Sequence, residues 1–339
     1  MRPVAVLIPV LCISAMILLR CQPGDRPLPG ATFEAPAHFP APAYSLSENP
    51  LTPAGFSLGK KLFYDGILSR DSSISCASCH QSYAAFAHQS HAISHGIDDL
   101  LGTRNAPALQ NMAWSTHFFW DGGAHDLDVV PINAITNPVE MDEYLSHNLR
   151  KLRAHPEYPK LFKKAFGNEE ITTALTMKAL SQFMIALISA DSPYDRYLQG
   201  ENTALGPQQL RGLAVFRQHC ASCHSEPLLT DNQFHNNGLP IRSSDPGRYA
   251  VTLDPADRYL FKTPSLRNVA QTAPYMHNGR ISTLEKAVEH YRSGIQVSAT
   301  LDPQLISGIS FSDAEKADLL AFLEALTDEG FLNHPDFVQ

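Results

Sequence analysis

Cys76-Ala77-Ser78-Cys79-His80 recurs, with the same two inner residues, as Cys220-Ala221-Ser222-Cys223-His224. In a Cys-x-x-Cys-His run the two sulfurs can add to the vinyl groups of a haem as thioethers, while the adjacent imidazole reaches the iron as proximal ligand. Two copies, 144 positions apart (76 to 220), predict two covalently attached haem c groups, ligated by His80 and His224. A thioredoxin-type dithiol needs a single pair opening the helix of a βαβ unit, and no β-rich segment precedes either copy. Zinc would take the four sulfurs together, or each pair with further ligands, and would leave the two histidines without a role.

Four of the six cysteines belong to these motifs, and the other two, Cys12 and Cys21, lie in or beside an N-terminal apolar run, so no disulfide framework remains. Val4 to Leu19 is almost wholly apolar after Arg2, which is the pattern of an export signal and is short for a bilayer span. The signal is expected over residues 1–20, followed at 21–45 by a proline-rich, extended tether. Haem attachment to such motifs takes place outside the cytoplasm, so the expected location is the periplasm. Cys21 is a candidate for lipid anchoring, although Arg20 stands where a small residue is expected before the cleavage site.

The formal net charge is -8, from 26 basic and 34 acidic residues; loss of Arg2 and Arg20 would leave 24 against 34, or -10. That balance disfavours a nucleic-acid partner and permits docking of a basic electron carrier. The length predicts two domains, 46–200 and 201–339, joined by a breaker-rich stretch near Ser192-Pro193 and Gly200 to Pro207.

Each motif follows an amphipathic helix, expected at Pro53 to Tyr64 and Pro207 to Gln218, where apolar residues recur at three and four positions. A closing helix is expected over Thr172 to Ser189, and another after Ser312, which forms a capping box with Glu315. Strand signals are weak. The expected fold is all-α: two cytochrome c-like domains, each with a haem replacing much of its core.

Gly102-Thr103-Arg104-Asn105-Ala106-Pro107, Phe119-Trp120-Asp121-Gly122 and Asn137-Pro138-Val139-Glu140-Met141 resemble the bacterial di-haem cytochrome c peroxidase and MauG family. So do Lys262-Thr263-Pro264-Ser265-Leu266-Arg267-Asn268 and Ala273-Pro274-Tyr275-Met276-His277-Asn278-Gly279. The resemblance spans nearly the whole chain after the tether. It implies haems facing a shared interface, the one on His80 peroxidatic and the one on His224 receiving electrons.

By this resemblance Glu140 stands where the family keeps its catalytic acid–base glutamate. Heterolysis of a peroxide O–O bond moves a proton from one oxygen to the other, which a carboxylate over an open haem face can do. Trp120 aligns with the family's inter-haem tryptophan, a stepping stone for electrons; core packing is its plain alternative. His95, fifteen residues after His80, resembles the switchable distal histidine of the first haem, with His88 and His91 as nearby rivals. For the second haem, family peroxidases place an axial methionine fourteen residues after the histidine matching His277, and MauG-type members use a tyrosine there; this chain has Tyr291. Phenolate is harder than thioether and depresses the potential, and Met276 is the competing ligand. The family's inter-haem calcium would fall at Asn105, Thr272 and Pro274, whose oxygen donors suit that ion. One departure stands out: the family's pocket glutamine, ten residues after the tryptophan, is Val130 here. Glu140 would then work alone or with water.

The implied activity is reduction of hydrogen peroxide to water with electrons from a small redox protein, a cytochrome c or a cupredoxin. MauG-like oxidation of a protein side chain and a non-enzymatic di-haem electron carrier are the alternatives, and a homodimer stays open.

Overall fold

The start of each leading helix is written in its first residues. Thr52 Oγ1 accepts from the Gly55 N–H at 3.0 Å, Pro53 presets the first turn, and the helix Pro53–Tyr64 follows. Pro207 opens the helix Pro207–His219 in the same way. The closing helices are Thr173–Ala186, capped by Thr172, and Asp313–Glu324, capped by the expected Ser312 and Glu315 pair. The computed structural model describes residues 32–168, 170–240 and 245–339.

In each half the leading helix crosses the closing helix at a glycine. A Cβ on Gly59 would lie 1.9 Å from the Ala179 carbonyl oxygen, and one on Gly212 would lie 2.0 Å from that of Asp318. One turn further on, Phe63 meets Phe183 at 5.0 Å between ring centres, and Phe216 meets Phe322 at 5.1 Å. The duplication extends into the loops. Asn111 and Asn268 both take left-handed backbone at φ 58° and 55°, and the bridges Phe118 to Ala124 and Tyr275 to Ile281 close equivalent turns. Among the described residues the one sheet is the antiparallel pair Phe234–His235 with Phe261–Lys262. The all-α, two-unit expectation holds.

Two hydrophobic cores result. The first draws on Phe39 to Leu187 and also on Phe331, Leu332 and Phe337; the second runs from Tyr194 to Leu326. The last residues therefore return to the first unit, where Tyr64 Oη donates to the Phe337 carbonyl at 2.5 Å. The described part of the 21–45 stretch differs from an extended tether. Phe39 is buried against Trp114, Trp114 Nε1 donates to the Pro40 carbonyl at 2.8 Å, and His38 reaches Asp195 Oδ1 at 2.8 Å. The aromatic residues Phe33 and Phe39 give this segment a surface to bury that its prolines disguise. The apolar run, Cys12 and Cys21 lie outside the described residues, within which no helix is long and apolar enough to cross a membrane.

A buried polar network joins the cores. Arg267 and Asp195, exposed by 1% and 0%, form two parallel bonds of 2.8 Å. Asn268 donates to Gln110 and to Ser189 Oγ, and accepts from the Asp328 N–H at 2.7 Å. Every chain crossing between the units thus passes through directional bonds, which fix the orientation of one unit on the other.

Candidate haem and peroxide sites

On the proximal sides, His80 Nδ1 bonds the Phe86 carbonyl at 2.7 Å and His224 Nδ1 bonds that of Leu229 at 3.1 Å. Phe86 and Leu229 are both in left-handed backbone, at φ 60° and 58°. Each bond orients the ring, and a backbone carbonyl holding one ring nitrogen leaves the other as the iron donor when haem is bound. Burial pushes both imidazoles down, so each is neutral, the form that ligates. Cys76, Cys79, Cys220 and Cys223 are unpaired and half-buried, and burial pushes the Cys76 and Cys220 thiols up to about 12. A redox dithiol needs a depressed thiol, so the donors fit haem attachment and not disulfide exchange.

A cavity of about 670 Å³ opens beside the second motif, lined by Cys220, Cys223 and His224 and, opposite, by Met276 and Tyr291. Its size and largely apolar wall suit a porphyrin. Tyr291 sits on a π-turn, His290–Gly294, that continues the helix Leu284–Glu289. Such turns add one residue per loop and so re-aim a side chain. The Asn237 amide donates to Met276 Sδ at 3.3 Å and to Tyr291 Oη at 3.4 Å. Both expected distal donors are therefore brought to one place. Burial pushes the Tyr291 hydroxyl up, and the Asn237 bond opposes it.

Around the first motif, Glu140 is half-buried and accepts from Asn137 Nδ2 at 2.7 Å. The Ile97 N–H donates to the Glu140 carbonyl at 2.7 Å, and the His95 carbonyl lies 3.8 Å from the Cys79 sulfur, so the Glu140 loop meets the segment that runs past Cys79. Burial pushes the Glu140 carboxyl up, with the Asn137 bond pulling it down. A Cβ on Gly96 would lie 2.5 Å from Glu140 Cα, so the residue after His95 must be small for the two loops to meet. His95 is 40% exposed in its side chain, and its Nδ1 bonds Asp99 at 2.6 Å. The rivals divide: His88 is buried, bonded to Ser94 Oγ at 2.9 Å, and stacked on exposed His91 at 4.5 Å. Val130 opens the helix Val130–Thr136 and packs on the first core.

Between the units, Trp120 lines the cavity, and its Nε1 donates to the Asn105 carbonyl at 2.8 Å. Asn105, Thr272 and Pro274, the three expected calcium donors, line the same cavity. As placed, Asn105 directs its amide nitrogen to the carbonyls of His91 and Ala92 at 3.2 and 3.1 Å. All these oxygens are neutral, a weak but compatible set for calcium. Sequence reasoning missed Asn237, because Asn-Asn-Gly reads as a turn. It also missed His277, which matches Trp120 in the duplicated loop and stacks on Phe261 at 3.6 Å.

The family model for di-haem cytochrome c peroxidase matches residues 53–203, and that for cytochrome c matches 209–327. The chain is 38% identical over 304 residues to methylamine utilization protein MauG of Methylorubrum extorquens, covering 88% of this chain and 84% of that one. It is 35% identical over 286 residues to cytochrome c551 peroxidase of Nitrosomonas europaea, covering 83% and 80%. Among solved structures, a MauG-like protein associated with microbial copper homeostasis matches with a TM-score of 0.84 and 32% identity, over 90% of this chain and 98% of that one. Two cytochrome c-type units with a His80 and a His224 motif carry two covalent haem c groups, and the chain belongs to the di-haem cytochrome c peroxidase family that includes MauG.

Proposed function

We propose that the chain reduces hydrogen peroxide to water at the first haem, taking two electrons from a small redox protein through the second. The observation that carries this reading is the half-buried Glu140 carboxylate, held by Asn137 on a loop that meets the His95 segment lying against the Cys79 sulfur. The haem iron, when bound, supplies the electrons and a Lewis-acid contact for peroxide. Glu140 takes the proton from one peroxide oxygen and returns it to the other as the O–O bond breaks; two further protons and two electrons complete two waters. Asn137 orients the carboxylate, and Val130 leaves it without a second hydrogen-bonding side chain at that position. His95 would hold the first haem iron as a displaceable ligand, its ring steadied by Asp99. Trp120 would carry electrons between the units, and Tyr291 would hold the second haem iron, with Met276 beside it. A calcium ion held by Asn105, Thr272 and Pro274 belongs to the same reading, as do a periplasmic location and a lipid anchor at Cys21.

Turnover of peroxide with reduced cytochrome c or a reduced cupredoxin tests it. Wild type consumes donor in proportion to peroxide, and Glu140→Gln slows this by about 10²–10⁴-fold. Equal rates would remove Glu140 from the mechanism, and no turnover with any donor would remove the peroxidase reading. The MauG-like alternative, oxidation of a protein side chain, is favoured by Tyr291 at the second haem and by the 38% identity to MauG. Poor turnover together with a long-lived oxidised state after peroxide would point there.

A further inference from the structure

The corner Asn236-Asn237-Gly238 follows the strand Phe234–His235 and is pinned from several sides. Asn236 Nδ2 donates to Ser298 Oγ at 2.9 Å and to Thr300 Oγ1 at 3.0 Å, and the Gln296 N–H donates to the Gly238 carbonyl at 2.8 Å. Gly238 has φ +70°, and a Cβ there would lie 2.6 Å from Ile295 Cγ2. The corner is thus pressed onto the exit of the π-turn that carries Tyr291.

Asn237 is fixed at both ends. His290 Nε2 donates to its backbone carbonyl at 2.9 Å, and the Leu239 N–H donates to its Oδ1 at 3.2 Å. The second bond decides which way the amide faces: oxygen back toward the chain, nitrogen forward into the cavity. Forward lie Met276 Sδ and Tyr291 Oη, at 3.3 and 3.4 Å. A primary amide has two N–H donors, so one group serves both side chains that compete for the iron.

The two contacts do not act alike. An N–H donated to a phenolate is charge-assisted, and the oxygen keeps lone pairs for it after binding a metal. An N–H donated to a thioether is weak and neutral, so it adds little to the sulfur's hold on a metal.

We propose that Asn237 selects the distal ligand of the second haem, favouring the Tyr291 phenolate over the Met276 sulfur. This rests on the reading that Tyr291 and Met276 face the second iron. Asn237 is a positioning residue here, since it acts through the two donors.

The test uses ferric holoprotein with its haem content verified, followed by electron paramagnetic resonance and optical spectroscopy. Wild type is compared with Tyr291→Phe, Met276→Leu, Asn237→Leu and Asn237→Asp. The Asp variant keeps the oxygen that the Leu239 N–H needs and removes both amide donors, so the corner persists even where the Leu variant does not accumulate. Wild type is expected to lack the sulfur-to-iron charge-transfer band, and Tyr291→Phe to change the second-haem signal. In both Asn237 variants that band appears and the methionine share of ligation rises about tenfold or more, the scale of losing a hydrogen bond to an anion. Adding Met276→Leu removes the band again, and the midpoint potential of the second haem rises and falls with it. If the Asn237 variants keep the wild-type ligand signature while Tyr291→Phe changes it, the selector role is overturned and Tyr291 ligation stands. If Tyr291→Phe leaves the wild-type signal unchanged, or wild type already shows the sulfur band, the ligand reading falls and the selector falls with it.

Discussion

The backbone N–H of Lys262 donates to the Trp120 carbonyl at 2.7 Å, so the loop that carries Trp120 is bonded into the second unit. Asn105 answers from the other side, its N–H donating to the His277 carbonyl at 2.8 Å. Trp120→Phe keeps the apolar bulk but deletes the Nε1–H bond to Asn105, at a cost of about 1 kcal/mol in stability. Donor-driven peroxide turnover should fall with haem content unchanged. A variant as fast as wild type would reduce Trp120 to packing.

Glu140 must be ionised to accept a proton, and burial raises its carboxyl above that of an ordinary glutamate. The acid limb of the turnover profile should therefore lie above the ordinary glutamate range, with the rate falling as pH drops through it. Stopped-flow rates from pH 4 upward check this, and in Glu140→Gln that limb should vanish from whatever activity remains.

Asp195 is buried, which would raise its carboxyl, yet the Arg267 guanidinium overrides burial and holds it below the ordinary aspartate range. A depressed folded value means the stabilisation is present above the unfolded value and is lost as pH falls through the folded one. Acid unfolding should begin at the junction between the units. Arg267→Met takes the guanidinium from the buried carboxylate, leaving it His38 and Ser192, and should cost about 3–5 kcal/mol, read as a lowered denaturant midpoint. Replacing both residues with apolar side chains should recover much of that loss.

At the helix crossings, Gly59→Ala and Gly212→Ala each force a methyl into a backbone carbonyl. Overpacking of this kind costs about 1–3 kcal/mol, and backbone is harder to displace than a side chain. Thermal unfolding followed by circular dichroism should show a lowered midpoint for both, with Asn236 and Tyr291 contacts untouched.

Much of this was legible because the chemistry is local. A five-residue motif fixes both haem positions, and Thr52, Pro53, Pro207, Ser312 and Glu315 announce helix starts through caps and proline, whose effects act within one turn. What stayed hidden depends on contacts distant in sequence. Phe331, Leu332 and Phe337 show no period that would assign them to the first core. Phe33 and Phe39 are scattered among prolines, so the N-terminal segment reads as extended although it is packed on Trp114. Asn237 looks like one more turn residue until the π-turn brings Tyr291 beside it, and the π-turn itself has no sequence signal.

Because Phe331 to Phe337 complete a core begun by Phe39, the second unit is an insertion within the first, held by two neighbouring strands of chain near Ser189 and Asp328. A polypeptide emerging from its amino end would finish the inner module before the outer one could close. The outer core thus waits for Phe331 to Phe337, which arrive after every residue of the inner core is present.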